Sequence, residues 1–169
     1  MAKDKSKYYN INVRKEAINT LRTNIQFSSI DNKLQVIGIT SATSGEGKTT
    51  LIDELAESFA LTGEKVLVLN ADMRKSLDHH SIRNKNRVGI TNVLAQNMPL
   101  SEAISEAKGF QYLGSGPLPP NPTELLGSKA MFQLIKTLKN SYDLILVDTP
   151  PMGLFSDALV LSKFFDGFL

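Results

Sequence analysis

The 169-residue chain contains no cysteine. This excludes a disulfide framework and any thiolate metal site, and it fits a reducing compartment. No apolar run approaches the roughly 20 residues needed to span a bilayer. The opening residues, with Lys3, Lys5 and Lys7, are polar and lack the apolar core of a signal peptide. Membrane association would therefore need a partner. The formal charge of +2 is too small to argue for a nucleic-acid partner. There is no internal repeat and no low-complexity tract. Charged residues at 21% and hydrophobic residues at 41% suit a globular chain of one α/β domain.

Hydrophobic periodicity divides the chain. Residues 1–13 read as a polar arm, and 14–169 as the folded domain. A helix is expected over 14–27, where Ile18, Leu21 and Ile25 share a face. Asp31-Asn32 marks a turn. Residues 34–40 (LQVIGIT), 65–69 (KVLVL) and 143–147 (DLILV) are short apolar, β-branched runs and read as buried strands. Between the first two lies an amphipathic segment, 48–62, with Ile52, Leu55, Ala56, Phe59 and Ala60 in one stripe; Gly63 ends it.

Weaker helices are expected at 91–95 and 100–107, and a short strand at 111–114. The proline-rich stretch 116–122 must be a loop. A helix starting at Thr123 or Ser128 runs to Lys139, and 155–165 reads as helical. Strands alternating with helices imply a mainly parallel sheet flanked by helices, with right-handed crossovers. Gly167-Phe168-Leu169 reads as a strand just starting, so the C-terminal part of the fold is expected to be truncated.

Residues 40–50 read TSATSGEGKTT. Ser44, Gly45, Glu46, Gly47, Lys48, Thr49 and Thr50 lie between an expected strand and an expected helix, the setting a phosphate loop requires. Gly45 and Gly47 allow successive backbone N–H groups to converge, and the helix N-terminus adds its own. Lys48 would reach β- and γ-phosphates, and Thr49 would place its hydroxyl on magnesium. Ala42 stands where the pattern G-x-x-x-x-G-K-[ST] has its first glycine, an arrangement that carries a penalty if φ must be positive there. The fold expected is that of a P-loop NTPase, with ATP and Mg2+ as cofactors.

Carboxylates to hold the metal are expected at strand ends. Asp148 follows Leu144-Ile-Leu-Val147, and Asp72 follows the strand at 65–69; both should lie at the carboxyl edge of the sheet. Asp157, at a helix start, reads equally as a cap or as a neighbour of the site. In the basic stretch Arg74, Lys75, Arg83, Lys85 and Arg87, the last four read as a solvated loop in preference to a contact with a phosphate, a membrane surface or a partner; Arg74 is the exception. His79-His80 has no carboxylate or cysteine company and supports no transition-metal site.

In order, GEGKTT, LNADMRKS and LILVDTPP resemble the bacterial tyrosine kinases of polysaccharide export, a resemblance covering nearly the whole chain. The segment from Glu16 to Ser28 and the loop from Gly114 to Pro122 share it. The resemblance implies catalytic roles for Lys48, Asp72 and Asp148, magnesium ligation by Thr49, Asp72 and Asp148, and a place beside the nucleotide for Arg74. In that family the middle motif is h-h-D-x-D-x-R. Its second carboxylate maps onto Asp72 and its first onto Asn70, which cannot accept a proton as a carboxylate does; this bears on phosphotransfer more than on ATP binding.

The family's subunit-contact motif E-x-x-R-x-x-R maps onto Glu16, Asn19 and Arg22, so homo-oligomer contacts through Glu16 and Arg22 are implied, weakened at Asn19. Also implied are a cytoplasmic location, peripheral to the inner membrane face, and a membrane adaptor protein that activates the kinase in capsule or exopolysaccharide synthesis and export. The family's tyrosine-rich tail has no counterpart here; the tyrosines are Tyr8, Tyr9, Tyr112 and Tyr142. Two other readings remain: a Min/Par-type switch ATPase, whose signature lysine is replaced by Thr43, and a nucleotide-binding regulatory homologue with weak catalysis.

Overall fold

The buried strands alternate their side chains between two apolar layers, and this fixes the architecture. In the computed structural model, which describes residues 2–28, 33–74 and 88–169, six strands form one sheet. They are β1 (Val36–Ile39), β2 (Val66–Asn70), β3 (Ile104–Glu106), β4 (Gln111–Leu113), β5 (Leu144–Asp148) and β6 (Gly167–Phe168), in the order β3-β4-β2-β5-β1-β6. All pairings are parallel except β3 with β4.

Val36, Leu67, Leu69, Ile145 and Val147 point into one layer; Ile37, Ile39, Val66, Val68, Leu144 and Leu146 point into the other. Strands buried on both faces have no polar side, which is why they appear in the sequence as continuous apolar runs. Each such fully buried aliphatic side chain contributes about 1.5–3 kcal/mol, so this central sheet is the rigid base on which the loops at its edge are set.

The second layer is covered by α1 (Ala2–Ser28) and α2 (Lys48–Ala60). Ile18, Leu21 and Ile25 of α1 meet Ile52, Leu55, Ala56 and Phe59 of α2, as the two stripes require. Helix α1 takes in 2–13, the stretch read as a polar arm: it holds no glycine or proline, and polar side chains do not stop a helix backbone.

The first layer is covered by α3 (Ile90–Gln96), α6 (Lys129–Lys139) and α7 (Asp157–Leu161), with short α4 (Leu100–Ala103) and α5 (Pro122–Leu126) at the rim. Both readings of the start near residue 123 have substance: Pro122 opens α5, and Ser128 separately caps α6 by accepting from Met131 N–H. A short 3-10 turn, Ser162–Phe164, follows α7.

One expected helix is corrected. Residues 100–107 form one turn of helix and then β3, because Ile104 to Glu106 find an antiparallel partner in β4. Four residues of helix offer less than that edge pairing does. The turn at Asp31-Asn32 and the stretch holding Lys75, His79, His80, Arg83, Lys85 and Arg87 lie outside the described residues. Among the described residues, no helix is long and apolar enough to cross a membrane.

Candidate functional site

Register places the carboxyl ends of β1, β5 and β2 side by side. Asp148 is level with Ile39 on one side and Asn70 on the other. The chain leaving Ile39 therefore rises next to Asp148, and the chain leaving Asn70 crosses just beyond it, with Ala71 N–H donating to Asp148 O at 2.8 Å. This edge, at the carboxyl ends of parallel strands, is where open α/β sheets hold ligands.

Residues 40–47 form the loop between β1 and α2. Gly45 (φ 84°) and Gly47 (φ 87°) occupy left-handed conformations, and a Cβ on either would meet only open space. Glycine is thus needed at both for backbone freedom, not for room. Ala42 escapes the anticipated penalty: the only non-glycine residue with positive φ among the described residues is Asn97. The close approach falls instead on Gly153, where a Cβ would lie 2.5 Å from Ala42 O. The loop is further tied by Met152 N–H donating to Ser41 O at 2.9 Å.

Glu46 folds back over the loop and accepts from Ala42 N–H at 3.1 Å and the Thr43 hydroxyl at 3.0 Å. Its carboxyl is held below the usual glutamate range, first by the Thr43 hydroxyl, with Ala42 N–H and the Lys48 charge adding to it. Lys48, the first residue of α2, donates its ammonium to Ser41 Oγ at 3.0 Å, which keeps the amine over the loop. Ser44 and Thr50 are exposed at the loop and the helix start.

Thr49 Oγ1 donates to Asp148 Oδ2 at 3.1 Å. A hydroxyl and a carboxylate oxygen this close form a hard-donor pair suited to magnesium, which keeps several waters and takes few protein ligands. Among the described residues, no three His, Cys, Asp or Glu cluster to make a denser metal site. The donor set therefore fits magnesium held together with nucleotide phosphates.

Asp72 is buried two residues beyond β2, and its Oδ1 accepts from Arg74 N–H at 3.3 Å. Asn70 Oδ1 accepts from Asp72 N–H at 3.0 Å, and Asn70 Nδ2 donates to the Tyr112 hydroxyl at 3.0 Å. The Arg74 side chain turns to Asp157: its Nε donates to Oδ2 at 2.6 Å, and its terminal nitrogen donates to Oδ1 at 3.1 Å and to Thr123 Oγ1 at 2.8 Å. Burial alone would raise the Asp157 carboxyl; hydrogen bonds from Arg74 and Thr123, with the Arg74 charge, outweigh it and hold the group below its ordinary value. Asp157 is thus no helix cap. It opens α7 as a fully buried ion-pair partner.

Sequence reasoning missed Ser41, Thr123, Tyr112 and Gly153. Thr123, Tyr112 and Gly153 act through contacts distant in sequence, whereas Ser41 meets Lys48 only seven residues on, inside the stretch already read as the loop.

On α1, Arg22 donates to Ser58 O at 3.1 Å, Asn19 Oδ1 accepts from the Ser58 hydroxyl at 3.1 Å, and Glu16 is exposed.

A family profile described as an AAA domain matches residues 34–163. The chain is 43% identical over 154 residues to tyrosine-protein kinase YwqD of Bacillus subtilis, covering 90% of this chain and 65% of that protein. It is 40% identical over 157 residues to tyrosine-protein kinase CpsD of Streptococcus agalactiae, covering 91% and 67%. The chain thus spans about two thirds of the length of these relatives. The solved kinase domain of the Escherichia coli tyrosine kinase ETK superposes with a TM-score of 0.85 at 36% identity, over 91% of this chain and 61% of that one. With a P-loop fold, two left-handed glycines ahead of Lys48 and these relatives, the chain belongs to the bacterial tyrosine kinase family.

Proposed function

We propose that this chain is the nucleotide-binding part of an ATP-dependent protein-tyrosine kinase that acts on itself or its neighbours and regulates capsule or exopolysaccharide synthesis and export. The observation that carries this reading is the Thr49–Asp148 pair beside a loop whose two left-handed glycines precede Lys48. The relatives, named as tyrosine kinases, favour it over a Min/Par-type switch ATPase.

The loop N–H groups and the α2 N-terminus bind phosphate oxygens, and Lys48, held by Ser41, adds a positive charge next to them. Thr49 and Asp148, with Asp72, would hold magnesium, which when bound neutralises phosphate charge and orients the γ-phosphoryl group. In the transfer, a bond forms between tyrosine oxygen and γ-phosphorus while the bond from that phosphorus to the β-bridging oxygen breaks. ADP leaves, and the phenolic proton passes toward Asp72. Such chemistry depends mostly on positioning and electrostatics.

A membrane adaptor would supply activation and would place the chain at the inner membrane face. Self-association would use Glu16, which is exposed, and Arg22, which also ties α1 to α2 through Ser58 O. A second reading, a regulatory homologue that binds nucleotide with weak transfer, is motivated by Asn70 in place of a carboxylate.

The test is incubation of the protein with labelled ATP, magnesium, a tyrosine-rich acceptor peptide and the adaptor's cytoplasmic tail, followed by phosphotyrosine detection. Labelling supports the kinase. ATP-dependent dimerisation without labelling points to the switch ATPase, and binding with neither points to the regulatory homologue.

A further inference from the structure

Three segments far apart in sequence converge on one buried carboxylate next to the site. Asp157 at the start of α7 is fully buried and receives a two-point fork from Arg74, at 2.6 and 3.1 Å. Thr123 in α5 donates its hydroxyl to Asp157 Oδ1 at 2.6 Å while accepting from Arg74 at 2.8 Å. The Phe155 ring lies 4.4 Å from the guanidinium carbon. Arg74 is therefore gripped from α5, from α7 and from the loop leading into α7.

Stability alone does not account for this arrangement. A buried ion pair is often no better than well-packed apolar residues of the same volume, because desolvation offsets the attraction. A lysine would keep the charge but could not form the planar fork. What the fork does fix is the backbone of Arg74, whose N–H donates to Asp72 Oδ1 at 3.3 Å. The other end of the same short loop is fixed by Asn70, which accepts from Asp72 N–H. Asn70 thus holds the Asp72 backbone, and Arg74 N–H, placed by the clamp, holds the Asp72 carboxylate.

We propose that the Asp157–Arg74–Thr123 clamp is the positioning element for Asp72. It sets where that carboxylate stands for the metal–nucleotide complex, and Arg74 serves this purpose rather than binding phosphate. The inference rests on the reading of Asp72 as a magnesium carboxylate. Arg74, Asp157 and Thr123 are positioning residues: they act through Asp72, and their guanidinium, carboxylate and hydroxyl groups are engaged with one another.

The experiment measures ADP affinity by calorimetry with and without magnesium, alongside thermal melting of the nucleotide-free protein. The gain in affinity on adding magnesium reports the metal carboxylates; the magnesium-free affinity reports the phosphate cradle. Asp157→Asn is expected to cut the magnesium gain by about tenfold or more, as for partners that orient metal ligands, and to leave magnesium-free affinity unchanged. Thr123→Val and Arg74→Lys should shift the gain in the same direction by less. Asp72→Asn should cut it as well, and Asp72→Asn/Asp157→Asn should be no worse than Asp72→Asn alone.

An unaltered magnesium gain in Asp157→Asn overturns the clamp. So does an equal fall in magnesium-free affinity, which would make Arg74 a phosphate ligand. If Asp157→Asn fails to fold, Thr123→Val and Arg74→Lys decide by the same two readings. A normal gain in Asp72→Asn removes the role assigned to Asp72, and the clamp with it; a reduced gain there, with normal gains in the three clamp variants, overturns the clamp alone.

Discussion

Asn70 links Asp72 to Tyr112: its amide oxygen accepts from Asp72 N–H at 3.0 Å and its amide nitrogen donates to the Tyr112 hydroxyl at 3.0 Å. The residue that replaces a family carboxylate is thus a built-in strut between β2 and β4. Its amide holds the loop but cannot take a proton.

Replacing Asn70 by Asp would keep both contacts, because the Tyr112 hydroxyl can turn and donate. It would add a base level with Asp148. With ATP bound and a tyrosine peptide supplied, Asn70→Asp should raise phosphotyrosine formation by about tenfold or more, a modest share of what general-base catalysis typically contributes. An unchanged rate under those conditions would show that the missing carboxylate does not limit transfer.

Lys48 is held over the loop by Ser41. Lys48→Met removes the cation beside the developing charge and should slow transfer by about 10²–10³, with weaker nucleotide binding. Initial rates and calorimetry on the same preparation check both; full affinity and turnover in the variant would contradict the assignment.

The loop glycines and Gly153 should respond differently to alanine. At Gly47 an added Cβ has room but φ is 87°, so Gly47→Ala should cost about 1–2 kcal/mol through the backbone alone. At Gly153 the Cβ would press on Ala42 O at 2.5 Å, so Gly153→Ala should displace the loop itself. Urea unfolding distinguishes the two: the second variant should also lose nucleotide affinity out of proportion to its stability.

The legible part of this fold was the part whose pattern is local. The readings at 65–69 and 143–147 found the buried strands Val66–Asn70 and Leu144–Asp148 because their aliphatic runs are apolar on both faces, and Gly45 and Gly47 could be read as the turning points of a loop because the backbone freedom they supply is their own. The short β3 was not legible: Ile104 to Glu106 become a strand only because β4 lies alongside. The Arg74–Asp157 pair was hidden for the same reason, since 83 residues separate its members and nothing in either local sequence names the other.

That pair also sets a pH dependence. The folded Asp157 carboxyl sits below the ordinary aspartate value of 3.8, so its contribution is complete above that value. As pH falls below 3.8 the unfolded chain takes up its proton first, and the contribution is lost as pH passes through the lower folded value. At neutral pH Asp157→Asn should cost about 1.5–3 kcal/mol. The gap between wild type and variant in urea midpoint should shrink on acidification below 3.8 and not on raising the pH. A gap independent of pH would mean that the carboxylate charge is not what the pair contributes.

The most direct test is titration of the folded protein with ATP and with ADP, each with magnesium, in a calorimeter. A glycine-built cradle completed by Lys48 and the Thr49–Asp148 pair requires saturable binding at one site per chain, weakened in Thr49→Val and Asp148→Asn when magnesium is present. Absence of binding by the folded wild-type protein, or binding indifferent to both substitutions, would contradict it.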